Sequence, residues 1–474
     1  MYRISNQSLR FGLVWLLLTA SANAQDPDLT ILTEDPDGFL RGGALMGISG
    51  NGRFVAFWSI NPLVPEDTTG QQIYVRDLET GALELVSVRP DGNASAAQQP
   101  EPPSGPFDAN KRLISDDGRF VIWASNSSDL VPGVDPEFRL WLFMRDRVNQ
   151  TTRLVSVNNG DEPPTLNGGK VQVDSFTMDP TGAAVLFSTP ADNMDPMFSD
   201  GPWFLHRTDA SVGSSVRTRA ACRDRDGVPR NCQNPALSCG GALVVAGITG
   251  SFPWIEGEDQ QFGGTYSDIA IGNTIDGNWV RIGAEADNPL PPDDGISSNN
   301  ASSPAAINCT GDRIAFWTNM ELRSGDTSDS DLYVFNVISR QLWLIEEPFG
   351  TSLFDAQTGG RSVAMSSDGL DIVFSTGRGL DARDTNGFRD VYHFEMPPNP
   401  SSLAFDFNWV SHNDFVPANS VFLDQLGIGG NGVAGFRTSA NSPPPWPGNA
   451  GGIRGQVYAR EGLPKEFIFV GGFE

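Results

Sequence analysis

The stretch ISGNGRFVAFWS, Ile48–Ser59, decides the fold of this chain, because its pattern returns six more times. It reads as a tight hairpin. Asn51-Gly52 supplies a backbone able to take positive φ, and the short apolar run Phe54–Trp58 follows at once. A run that is apolar on both faces suits a strand covered on both sides. The later copies are ISDDGRFVIWAS (Ile114–Ser125), MDPTGAAVLFST (Met178–Thr189), LSCGGALVVAGI (Leu237–Ile248), INCTGDRIAFWT (Ile307–Thr318), MSSDGLDIVFST (Met365–Thr376) and IGGNGVAGFRTS (Ile428–Ser439). Their glycines are Gly52, Gly118, Gly182, Gly241, Gly311, Gly369 and Gly432, separated by 66, 64, 59, 70, 58 and 63 residues.

Two more lines follow the hairpin. One is QIYVRDLETG at Gln72–Gly81, with counterparts at Leu140–Asn149, Asp331–Arg340, Asp390–Glu395 and Gln456–Glu461. The other is ELVSV at Glu84–Val88, with RLVSV at Arg153–Val157 and NWVS at Asn408–Ser411. Each copy therefore carries four strands: one before the glycine, one after it, then two more. Four strands per ~60-residue repeat make the blade of a β-propeller, in which neighbouring sheets cover both faces of each blade. The expected fold is all-β, a single propeller of about seven four-stranded blades over residues 25–474. Six blades with a C-terminal extension are the alternative, since the copy at Gly432 is the weakest.

The ends bear on closure. TILTEDPDG (Thr30–Gly38) matches ELVSVRPDG (Glu84–Gly92), so the chain starts on the last strand of a blade. That N-terminal strand, near residues 29–33, is expected to clasp the final repeat and remove an exposed sheet edge. EFIFV (Glu466–Val470) is the competing closing strand.

The first 24 residues read as a secretory signal peptide. Arg3 and Arg10 precede the apolar run FGLVWLLLTA, and Ala22-Asn23-Ala24 is a small-x-small cleavage site. The run is too short to span a bilayer, which needs ~20 residues. The mature protein is expected to begin at Gln25 and to be periplasmic or secreted. The formal charge of −26 argues against nucleic acid, whose phosphates require a basic face, and against anionic membrane surfaces. It permits a cationic ligand.

The repeat resembles the WD40-like propeller repeat of the TolB-like family. The carriers are ISxDGRxVxFxS, LVP at Leu63–Pro65 and Leu130–Pro132, VYVRDLxTG and LVSV. The resemblance implies the propeller and a bacterial envelope setting; it implies no activity, because propellers host many. Two departures stand out. No α/β domain of the TolB kind precedes the repeats, and no G-x-S-x-G elbow marks a hydrolase partner domain. FIFVGGFE at the end of the chain resembles a short C-terminal signature of exported bacterial proteins.

No residue set stands out as catalytic. The histidines are His206, His393 and His412, and the first two fall on third strands of distant copies, too far apart to share a metal. Calcium is the one cofactor with a sequence rationale. DTNGFRD and DTSDSD place oxygen ligands at alternating positions: Asp384, Asn386 and Asp390 in one loop, Asp326, Ser328 and Asp331 in the other. Asx-turn bonding of the same carboxylates is the competing reading. Arg76-Asp77 and Arg145-Asp146 recur at one strand end and read as structural. Cys222 and Cys232 flank a turn-rich loop and suit a local bridge. Cys239 and Cys309 occupy the same repeat position on adjacent blades, and a cross-blade bridge is possible there if the backbones approach closely enough.

The expected function is binding rather than catalysis: an exported, monomeric scaffold whose protein or small-molecule partner meets one rim of the ring. The inserts Pro90–Asn110, Gly250–Gly264 and Pro443–Gly455 are candidate contact loops. The alternative is a polysaccharide-active or other hydrolase using carboxylates at the channel mouth.

Overall fold

The computed structural model describes residues 29–461, apart from residues 36–41, 60, 68–70, 96–99, 102–110, 196–202, 209–217, 225, 231, 250–254, 257–266, 283–305, 319–330, 346–361, 386, 397–406, 414–415, 418–420, 431 and 439–456. The signal-peptide segment, Glu466–Val470, and most of the three inserts lie outside the described residues.

The seven sequence copies are seven antiparallel sheets arranged in a propeller ring. Blade 1 is built from Gly43–Ile48, Phe54–Ser59, Gln72–Asp77 and Leu83–Leu85. Blade 2 has Pro100–Glu101, Phe120–Ser125, Trp141–Asp146 and Thr151–Leu154; blade 3 has Ser175–Met178, Ala184–Ser188, Trp203–Arg207 and Thr218–Ala220. Blade 4 has Gln233–Leu237, Leu243–Thr249, Ser267–Asn273 and Trp279–Arg281, with Ile255–Glu256 added as a fifth, parallel strand. Blade 5 has Ala306–Ile307, Arg313–Thr318, Asp331–Asn336 and Leu342–Ile345. Blade 6 has Ser362–Met365, Asp371–Thr376, Asp390–Glu395 and Asn408–Trp409. Blade 7 takes Val421–Gly429, Val433–Thr438 and Val457–Arg460 from the end of the chain and Leu29–Ile31 from its start. Leu29, Thr30 and Ile31 lie opposite Arg460, Ala459 and Tyr458. Arg76 of blade 1 adds to this junction, donating to the carbonyls of Leu32 and Glu34.

The seven glycines all sit at positive φ, between the first and second strands of their blades. Gly118 shows why a side chain is excluded: φ is +72°, and a Cβ there would lie 2.2 Å from the Phe54 ring of the preceding blade. The turn is therefore also a blade-to-blade contact. The apolar runs are buried on both faces, and the clusters they form lie between successive sheets. Ala184, Leu186 and Leu205 of blade 3 pack on Leu237, Val244 and Ala246 of blade 4, and the same arrangement recurs around the ring. Such two-sided burial explains why the second strands do not alternate apolar with polar.

Antiparallel strands alternate in direction, so each glycine turn shares a face of the ring with the turn between the third and fourth strands. The loop between the second and third strands lies on the opposite face.

Candidate functional site

The innermost strands of all seven blades converge on a central channel. Its lining includes Gly47, Thr177, Ala236, Ala306, Ala364 and Gly427, together with larger apolar residues such as Ile48 and Met178. Lys111 and Arg112 are the charged residues in that lining, and the cavity volume is about 60 Å³. Both cations lie shortly before Ile114, which is bridged to Val121 of blade 2's second strand. The Arg112 backbone pairs with blade 3: its carbonyl accepts the Met178 N–H, and Thr177 Oγ1 accepts its N–H. Arg112 is then paired with Asp116 at 2.5 Å, and the Lys111 ammonium lies 4.5 Å from the centre of the Trp203 ring.

The recurrent polar residues form the same bonds in blade after blade. At the glycine turn, Ser49 Oγ donates to Asn51 and accepts the Phe54 N–H; Ser115 does the same with Asp117 and Phe120. The Arg-Asp steps are structural too. Arg53 holds Asp77 through two bonds of 2.9 and 2.6 Å, and Arg119 holds Asp146 through bonds of 3.0 and 2.6 Å. This pairing draws the carboxyl groups of Asp77 and Asp146 down to about 2, the Arg hydrogen bond being the main cause in each. The serine of each closing line ties the fourth strand to the third. Ser87, Ser156 and Ser411 accept the N–H groups of Ile73, Leu142 and Val391.

Three of the six calcium candidates, Asn386, Asp326 and Ser328, lie outside the described residues. The other three are placed individually. Asp384 accepts the Tyr392 hydroxyl at 2.5 Å. Asp390, fully buried, accepts the Ser411 hydroxyl at 2.5 Å and the Trp409 indole N–H at 3.3 Å. Asp331 is buried on the first position of blade 5's third strand, opposite Thr318. Among the described residues no three His, Cys, Asp or Glu side chains cluster as metal ligands.

The Asp384–Tyr392 bond has a twin that sequence reading missed. Tyr74 donates to Asp67 at 2.5 Å while its oxygen accepts the Leu63 N–H at 3.2 Å; Tyr392 likewise accepts the Leu380 N–H at 3.1 Å. Burial first, then the hydrogen bond to the carboxylate, pushes both phenols far above their ordinary pKa. The signal was present: Leu63 to Asp67 and Leu380 to Asp384 are equally spaced.

All four cysteines are bonded. Cys222–Cys232 closes the loop after blade 3, with Cα atoms 6.3 Å apart. Cys239–Cys309 joins blades 4 and 5 with Cα atoms 4.6 Å apart, beside a backbone bond from the Cys239 N–H to the Cys309 carbonyl. His206 and His393 are buried inside separate blades, the first on Thr218 at 2.8 Å and the second on Asp371 at 2.9 Å.

No family model matches the sequence, and no curated protein matches it. The solved structures that it resembles include the β-propeller domain of the trilobed protease from Pyrococcus furiosus, at 9% identity and TM-score 0.46, over 89% of this chain and 97% of that one. They also include the Cps50 (Swd1) β-propeller domain of Myceliophteria thermophila, at 10% identity and TM-score 0.44, over 92% and 100%. A third is the acylaminoacyl peptidase of Pyrococcus horikoshii, at 10% identity and TM-score 0.44, over 89% of this chain and 51% of that one.

Proposed function

We propose that this propeller is an exported, non-catalytic module of the TolB-like repeat type that presents one face of its ring to a partner. The observation that carries this reading is the use of the recurrent polar side chains. Arg53, Asp77, Arg119, Asp146, Tyr74, Asp67 and the closing serines are all engaged inside or between blades. The channel is narrow, and its two cations are already engaged, Arg112 with Asp116 and Lys111 over Trp203, which leaves the faces of the ring for recognition. The turn face has a feature suited to it. Val148, Ile275 and Ile338 occupy equivalent positions in the turns between third and fourth strands of blades 2, 4 and 5 and are 66–81% exposed, where blade 1 has Glu79. Two disulfides fit an oxidising compartment.

Photocrosslinking in intact cells tests the face. Crosslinkers at Val148 and Ile338 are expected to trap one partner that a crosslinker at Glu66, on the opposite face, does not. Hydrolysis of a polysaccharide by the purified chain, lost on substitution of a single carboxylate, overturns the reading. N-terminal sequencing tests export: a mature protein starting at Gln25 supports it, and a chain retaining residues 1–24 in the cytoplasm contradicts it.

The calcium reading of residues 384–390 and 326–331 rests on sequence pattern, with Asp384 and Asp390 also serving as hydrogen-bond acceptors. A melting point raised by Ca²⁺ relative to chelator supports it; equal melting points end it.

A further inference from the structure

The chain is strongly acidic, yet residues 207–230 contain six arginines and three aspartates. Strand register gathers part of this charge. Arg219 lies directly opposite Leu205, on the same side of blade 3. Arg207 follows Leu205 by two residues and so shares that side, as a diagonal neighbour of Arg219. Leu205 packs toward blade 4, which sets the direction in which this side faces. Arg207 confirms it, with Nη1 donating to the Gly240 carbonyl of blade 4 at 2.8 Å. Arg223 borders the same seam: its carbonyl accepts the Trp279 indole N–H of blade 4 at 2.9 Å.

Among the described residues, Arg219 and Arg223 form no ion pair and no side-chain hydrogen bond. The Arg219 guanidinium is pushed down to about 10, first by burial and then by the charges of Arg223 and Arg207; attraction from Asp195 is the smallest contribution. Asp195 is also committed elsewhere, accepting the Ala220 N–H at 3.0 Å. The contrast with Arg230 is direct, since that residue is clamped on Asp224 through bonds of 3.0 and 2.6 Å. Guanidinium groups that outweigh the carboxylate charge beside them repel one another, and an oxyanion set among them relieves that repulsion with charge-assisted, forked hydrogen bonds.

We propose that Arg207, Arg219 and Arg223 form an oxyanion-binding site at the outer seam between blades 3 and 4, which takes a sulfate group, free or carried on an acidic oligosaccharide. The proposal is tested apart from the partner reading of the turn face, because it is read by a different ligand, sulfate.

The test is a sulfate titration followed by calorimetry and by melting point, with ionic strength held constant by chloride. Wild-type protein is expected to bind sulfate in the millimolar range or tighter. Arg219→Gln and Arg223→Gln are each expected to weaken it at least tenfold, and Arg119→Gln, on blade 2, to leave it unchanged. Arg223 lies at the edge of the loop, so its variant provides a folded reference should Arg219→Gln misfold. A sulfated oligosaccharide that binds at least tenfold tighter per sulfate than the free ion assigns the site to the polymer; equal affinity assigns it to the free ion. A wild-type protein for which sulfate and chloride are equivalent, or variants that bind sulfate as wild type does, overturns the proposal.

Discussion

The Tyr74 hydroxyl donates to Asp67 Oδ2 at 2.5 Å, and Asp67 is buried. The bond pins the loop between the second and third strands onto the third strand. In blade 2 the corresponding positions hold Phe143 and Val134, both apolar, and Val134 keeps the backbone bond to Val131 that Asp67 makes to Val64. The two blades thus solve one packing problem with a polar pair and with an apolar pair. Tyr74→Phe leaves a buried carboxylate short of a donor and is expected to cost about 1–3 kcal/mol. Adding Asp67→Val is expected to recover part of that loss, a non-additivity that a double-mutant cycle in chemical denaturation reads directly.

The same spacing recurs at Leu322, Asp326 and Tyr333. Tyr333→Phe is therefore expected to lower the melting point as Tyr392→Phe does. Unchanged melting of Tyr333→Phe would show that the tether belongs to blades 1 and 6 alone.

Asp77 and Asp146 titrate at about 2 in the folded ring because Arg53 and Arg119 hold them ionised. An unfolded aspartate titrates near ~3.9. The stabilisation is thus complete above that value and is lost as pH falls from about 4 to 2. Arg53→Gln is expected to lower the melting point at pH 6. Its difference from wild type is expected to shrink toward pH 2, as Asp77 becomes protonated in both proteins. A difference that stays constant down to pH 2 contradicts the assignment.

The two disulfides span unequal loops, with sequence separations of 10 and 70 residues. On a chain-entropy model, these correspond to roughly 3 and 4 kcal/mol. Replacing Cys239 and Cys309 together by serine is expected to lower stability more than replacing Cys222 and Cys232. Peptide mapping without reduction checks the pairings themselves.

Thr30→Pro removes an N–H from the strand that pairs with Val457–Arg460 and is expected to lower the melting point by several degrees. Truncation after Lys465 is expected to have less effect, because Val457–Arg460 is already paired on both edges, with Val433–Thr438 and with Leu29–Ile31. The reverse order of effects would assign closure to the C-terminal segment.

Much of the fold was legible because all seven turns between first and second strands take a positive φ that favours glycine, and at Gly118 a neighbouring ring leaves no room for a Cβ. Gly118 and its six counterparts therefore mark every blade in the sequence. The Arg-Asp steps were legible as structure, but not their partners: Arg53 and Asp77 meet only once the second and third strands are in register. The Asp384 loop was read as ligand-like because carboxylates at alternating positions fit either a cation or a local tether. Only the position of the Tyr392 hydroxyl shows that a tether is present. The arginine seam was not legible, since Arg207 and Arg219 become neighbours through a strand pairing and Arg223 through the contact with blade 4.

The strand Leu29–Ile31 also imposes an order on biogenesis. It is synthesised before blades 1 to 6, and its partner, Val457–Arg460, after them. Until then Leu29–Ile31 has no partner strand, and the ring stays open. Closing the circle waits for Val457–Arg460, and strands separated by more than four hundred residues finish side by side.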